Sequence, residues 1–169
     1  EIVSSDSVAM AMGFGVLHAA RLAAQGASLA ECKIAAEEAC KRTGVVLTVD
    51  TLEFLYRGGR IGGASRFLGT ALNIKPILEL KEGRLEPLER VRTRAKAVAR
   101  LVDLLDERTG GKPFRTAVLH ANAEQEARTL LAQVTSRFHT LEQVIAPVSP
   151  VVGTHVGPGT LGLVWMIEE

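Results

Sequence analysis

The sequence predicts an α/β fold, a two-layer arrangement of helices on a mixed sheet of six strands. Three observations lead there. Short β-branched runs alternate with segments of helical periodicity along the whole chain. One of them, "IKPILELKEGRLEPLERVR", is two strands around a tight turn at "KEGR". Apolar residues make up 47% and aromatics only 4%, so the interior is built from Ala, Leu, Val and Ile. Such an interior can be a packed core or the lining of a tunnel for an alkyl chain.

The elements follow in order. The chain opens on a strand-like run, "EIVSS". "DSVAMAMGFGVLHAARLAAQG" is a turn and then a helix, with Met10, Phe14, Leu17 and Ala24 near one face and Gly26 at its end. Ser28 caps a second helix, with Glu31 completing a capping box. Leu29, Cys32, Ala36 and Ala39 form its apolar stripe, which makes Cys32 a core residue. "VVLTVD", 45–50, is a buried strand. Asp50 with Glu53 is placed to cap a short helix from Thr51 to Arg57 that Gly58 stops. Gly62 and Gly63 lead into another short helix ending near Gly69. The hairpin comes next. A strong helix starts at Thr93, with Val98, Leu101, Val102 and Leu105 at helical spacing. "RTAVLHA" is a strand, and Asn122 with Gln125 caps the helix after it, which buries Ala127, Leu130, Leu131 and Val134. "TLEQVIAPV" and "TLGLVWMIE" are the last two strands.

Charge and cysteine content narrow the function. Net charge is +1, but residues 57–115 hold 14 basic and 7 acidic side chains, against 6 and 12 in the remainder. Ten of the 14 are Arg, a residue suited to geometric recognition of carboxylate or phosphate. Cys32 and Cys40, eight residues apart on one helix, lie about 12 Å apart along its axis, too far for a disulfide. Neither has a partner at metal-ligand spacing. Two unpaired thiols fit a reducing cytoplasm. No signal peptide is visible, and no apolar run reaches the roughly 18 residues of a membrane span.

Two glycine-rich stretches carry the candidate chemistry. In "LEFLYRGGRIGG", Arg60 is bracketed by two glycine pairs. Gly58 and Gly59 allow a positive-φ turn whose successive amides can form an anion nest, to which the guanidinium adds a fork. The alternative is a helix C-cap followed by a surface Arg. No P-loop or dinucleotide fingerprint is present. In "PVVGTHVGPGTLGLVW", Thr154 and His155 are polar side chains in an otherwise apolar setting. The stretch reads as a loop between strands, where His155 can donate to an anion, shuttle a proton or simply be a satisfied core residue. No Ser–Asp or Cys partner nearby suggests a triad. A third run, "ERVRTRAKAVAR", alternates so that Arg90, Arg92 and Arg94 share one strand face. It lacks interleaved aromatics to stack nucleic-acid bases and suits an acidic protein partner as well. His18, His120 and His139 have no companions that suggest a site.

Three segments together, "VDTLEFLYRGGRIGGASRFLGTALNIKPIL", "LEPLERVRTRAKA" and "PVVGTHVGPGTLGL", resemble the DegV family of bacterial fatty-acid-binding proteins. "SSDSVAMAMGFG" is a looser fit to the family's Asp-Ser and Gly-rich helix entry. The resemblance implies a two-domain protein holding a long-chain fatty acid in an apolar tunnel, with the carboxylate in a hydrogen-bond network. It implies a carrier that is not itself an enzyme and presents the carboxylate to a fatty-acid kinase subunit for acyl-phosphate formation. The fatty acid is the bound ligand; no cofactor, metal or nucleic-acid partner is implied. Arg60, Gly59, Thr154 and His155 become candidate ligand-binding residues, and Arg92 a candidate for docking the kinase. The family's carboxylate-binding Thr and Ser lie in its N-terminal domain, and no position here matches them. Residues 1–44 are therefore expected to join a missing N-terminal domain to a lipid-binding domain at 45–169. Two other readings stay open: a small-molecule enzyme using His155 as nucleophile or base, and a regulatory interaction module using the Arg run.

Overall fold

In the computed structural model, which describes residues 1–68 and 74–168, six strands form one sheet. They are β1 (Thr43–Thr48), β2 (Lys75–Lys81), β3 (Arg84–Val91), β4 (Phe114–His120), β5 (Thr140–Pro147) and β6 (Leu161–Ile167). Their order is β3-β2-β1-β6-β4-β5. All neighbours are antiparallel except β4 and β5, which run parallel because a helix connects them. The helices are α1 (Ala9–Ala24), α2 (Leu29–Lys41), α3 (Glu53–Arg57), α4 (Arg94–Thr109), α5 (Glu124–Arg137) and α6 (Pro150–Val156), with a 3₁₀ turn at Gly62–Phe67. The predicted end of that turn at Gly69 lies outside the described residues.

Alternation along β6 sorts the core into two faces. Leu161, Leu163 and Trp165 pack with Leu101, Leu105 and Leu130 of α4 and α5. Val164 and Met166 point the other way, against Phe14 of α1. Fully burying a Leu on either face contributes roughly 1.5–3 kcal/mol. The capping box expected at Ser28 forms with Glu31, and the helix expected from Thr93 starts with the Thr93 hydroxyl accepting from the Lys96 amide. The hairpin turns through Glu82 (φ 49°) and Gly83 (φ 73°), the two positive angles that its two-residue connection needs.

Other expectations are corrected. The run at residues 1–5 forms no strand. Leu29 is exposed and Cys32 only half-buried, because α2 packs on α1 rather than on the sheet; Ala24, the last residue of α1, is exposed as well. Asp50 caps nothing: its carboxylate pairs with Lys75 at 2.8 Å, and Thr51 accepts from the Glu53 amide instead. Asn122 has φ 51° and lies outside α5, whose first residues have no side-chain cap. Arg90, Arg92 and Arg94 do not share a strand face, since β3 ends at Val91 and Thr93 starts a helix.

One charge chain ties α1 to the sheet. Glu142 of β5 accepts from Arg21 of α1 at 2.8 and 2.9 Å and from Arg115 of β4 at 2.7 Å. The Arg21 hydrogen bond, helped by Arg115, holds the Glu142 carboxyl below its ordinary range. A depressed carboxyl contributes stability above its unfolded pKa of about 4.3 and loses it as pH falls through the folded value. Thermal unfolding followed below about pH 4.3 should therefore show a shallower acid loss in Glu142→Gln than in the wild type. Superimposable pH profiles would remove Glu142 from the account.

Candidate functional site

The two glycine-rich stretches meet. Helix α3 leads into "GGR" and α6 carries His155, and the two helices pack against each other. The region around His155 is thus a helix and not a loop. Pro150 sits in the first turn, and the hydroxyl of Ser149 accepts from the Val152 amide. The ring of His155 presses on Gly58 so closely that a Cβ there would lie 2.1 Å from Nδ1. On the other side of the same contact, a Cβ at Gly157 would lie 2.3 Å from the Phe54 ring. The glycine at 58 is a spacer for the histidine, a role invisible without the fold.

The expected anion nest is absent. The amides of Gly58, Gly59 and Arg60 donate to the carbonyls of Phe54, Tyr56 and Leu55 at 2.9, 3.1 and 2.9 Å. Gly59 (φ 66°) is the left-handed residue of a Schellman turn that ends α3, so these amides are already used. Arg60 follows with an exposed side chain that donates to the Gly58 carbonyl at 3.2 Å.

Gly59, Arg60 and His155 all line one cavity of about 650 Å³, within the range of small-molecule sites. Its floor is the sheet: Val45 and Leu47 of β1, Leu80 of β2, Leu119 of β4 and Gly162 of β6. Val151, Val152 and Val156 of α6 and Leu55 of α3 form walls, and the start of β3 adds Arg84 and Leu85 to the lining. The lining is overwhelmingly aliphatic, with the two cationic groups Arg60 and Arg84 exposed and His155 half-buried. Among the described residues the buried Nδ1 of His155 has no hydrogen-bond partner, and no carboxylate, hydroxyl or thiol bonds the ring.

Two of the singled-out residues lie elsewhere. Thr154 is exposed, spends its hydroxyl on the Pro150 carbonyl at 2.8 Å, and does not line the cavity. Arg92 is exposed between β3 and α4, with no ion pair or hydrogen bond among the described residues. Arg94, by contrast, has a role that its strand assignment hid. It pairs with Glu126 at 2.8 Å and donates to the Gly159 carbonyl. The Gly159 amide donates to Ala121 at 2.8 Å, and the Thr160 hydroxyl bonds the carbonyls of Val156 and Gly157. These bonds fix the turn between α6 and β6, and with it the wall and floor of the cavity. Among the described residues no cluster of three or more potential metal ligands occurs, and no helix is long and apolar enough to cross a membrane.

Known proteins share this fold. The model of the DegV family, described as uncharacterised proteins, matches residues 1–168. A DegV domain-containing protein of Streptomyces coelicolor is 43% identical over 164 residues, covering 96% of this chain and 58% of its own length. Protein DegV of Bacillus subtilis is 40% identical over 166 residues, covering 97% and 59%. Among solved structures, a DegV family protein from Thermus thermophilus, described for its fatty acid binding, superposes with a TM-score of 0.94 at 35% identity, covering 99% of this chain and 61% of its own. The Bacillus subtilis DegV structure, a fatty acid binding protein, gives a TM-score of 0.81 at 36% identity, covering 98% and 60%. The chain thus spans about three-fifths of the length of these relatives.

Proposed function

Since this chain belongs to the DegV family, we propose that it binds a long-chain fatty acid, with the acyl chain in the apolar trough and the carboxylate at Arg60 and His155. The observation that carries this reading is the pairing of an aliphatic cavity of about 650 Å³ with a guanidinium and an imidazole on its lining. Each buried methylene contributes about 0.8 kcal/mol, so the trough supplies most of the affinity. The charged end supplies orientation through charge-assisted hydrogen bonds. Arg60 is exposed and can turn to a ligand; the ring is held in place by Gly58. Gly59 serves by ending α3 where Arg60 meets the cavity, and Thr154 serves α6 rather than the ligand.

In the same proposal the protein is a cytoplasmic carrier, and a separate kinase subunit phosphorylates the exposed carboxylate to an acyl phosphate. The exposed Arg92 is the docking contact. Two free cysteines fit that compartment. Organic extraction of the purified intact protein should release a stoichiometric long-chain fatty acid, read by mass spectrometry. A protein that is empty and takes up no added fatty acid would contradict the reading. Arg92→Ala should keep its lipid and lose acyl-phosphate formation by the kinase; unchanged phosphorylation would sink the Arg92 assignment.

A further inference from the structure

Gly162 lies inside β6, a central strand, opposite Leu47 on β1 and Leu119 on β4. Glycine in a strand interior has no side chain to pack and loses more backbone freedom than other residues. Most glycines around the site have a local reason. A Cβ at Gly58 or Gly157 would come within 2.1 or 2.3 Å of a neighbouring ring. Gly162 has none of this kind. Its φ is not positive. A Cβ built there meets Leu119 Cβ at 3.4 Å, Leu119 Cδ1 at 3.8 Å and Leu47 Cβ at 3.9 Å, all ordinary van der Waals contacts. Neither the backbone nor the neighbours demand a glycine.

What a side chain would enter is the cavity. Residues 162, 164 and 166 of β6 share one face by alternation. α1 covers Val164 and Met166, while Gly162 lines the trough. We propose that Gly162 sets the depth of the trough and so limits the length of the acyl chain it accepts. The proposal makes Gly162 a specificity-determining residue and rests on the fatty-acid reading above. A leucine side chain takes the space of roughly four acyl carbons, and each methylene left unburied lowers affinity about fourfold, the equivalent of about 0.8 kcal/mol.

The test compares the intact wild-type protein with Gly162→Ala and Gly162→Leu. Each is delipidated, offered an equimolar mixture of straight-chain saturated acids from decanoic to icosanoic, and extracted for mass spectrometry. Thermal unfolding of the delipidated proteins is measured in parallel. Gly162→Ala should unfold at the wild-type temperature or above and shift the retained acids to shorter chains. Gly162→Leu should shift them further, by roughly two carbons or more, or reject all long chains. Normal uptake with an unshifted distribution in Gly162→Ala and Gly162→Leu overturns the proposal. So does an unshifted Gly162→Ala if Gly162→Leu fails to fold or to bind. If the wild type takes up nothing, the fatty-acid reading falls and this proposal falls with it.

Discussion

Gly58→Val should loosen the site and the fold together. The backbone at Gly58 is ordinary (φ −78°), so the penalty comes from space alone. A Cβ there would sit 2.1 Å from His155 Nδ1 and 3.0 Å from the Phe54 carbonyl oxygen. The carbonyl belongs to α3 itself and cannot retreat, so the histidine and α6 must. Overpacking of this kind costs about 1–3 kcal/mol. For a chain of 169 residues that is a fall in Tm of roughly 2–12 °C. The same displacement separates His155 from Arg60, so fatty-acid affinity should drop about tenfold or more, about 1.4 kcal/mol. Calorimetry and ligand titration on one preparation read both. Wild-type Tm and affinity would show that α3 and α6 do not pack through this contact.

Arg60→Glu should do the opposite: spare the fold and damage binding. The side chain is exposed and, among the described residues, bonds only a nearby carbonyl, so stability should change by no more than about 0.5 kcal/mol. At the ligand, an attraction becomes a repulsion. Like-charge juxtaposition in a contact costs several kcal/mol when dry and less in water. At this exposed position we expect a loss of affinity on the order of a hundredfold at low salt, narrowing as salt rises. Arg60→Gln should fall between. Affinity equal to wild type in Arg60→Glu would remove Arg60 from the headgroup site.

Local signals were legible in the sequence. The Ser28–Glu31 box, the helix start at Thr93 and the "KEGR" turn each depend on residues within a few positions, and each formed. The β-branched and aliphatic runs marked all six strands for the same reason. What the sequence hid depends on distant contacts. The glycines at 153 and 157 argued for a loop around His155. Ser149 and Pro150 were the start signal that outweighs them, and packing on α3 completes the helix. The glycines at 58 and 59 suggested an anion nest. Their amides instead end α3, and Gly58 makes room for a ring nearly a hundred positions away. Arg94 was grouped with its neighbours by strand alternation, although Thr93 already marked a helix there. Leu47 and Leu119 read as ordinary strand residues, and Gly162 as one of the glycines that leave little bulk near His155. Only their register across β1, β6 and β4 makes them one floor. Arg60 and His155 stand out in the sequence for their glycine-rich surroundings, and the fold brings both to one cavity.

The most direct measurement is a structure of the intact protein with hexadecanoic acid bound. The acyl chain should lie over Leu47, Leu119 and Gly162, with its carboxylate within hydrogen-bond distance of Arg60 and His155. A fatty acid bound elsewhere, or lying in the trough with its carboxylate at the end away from Arg60 and His155, would contradict it.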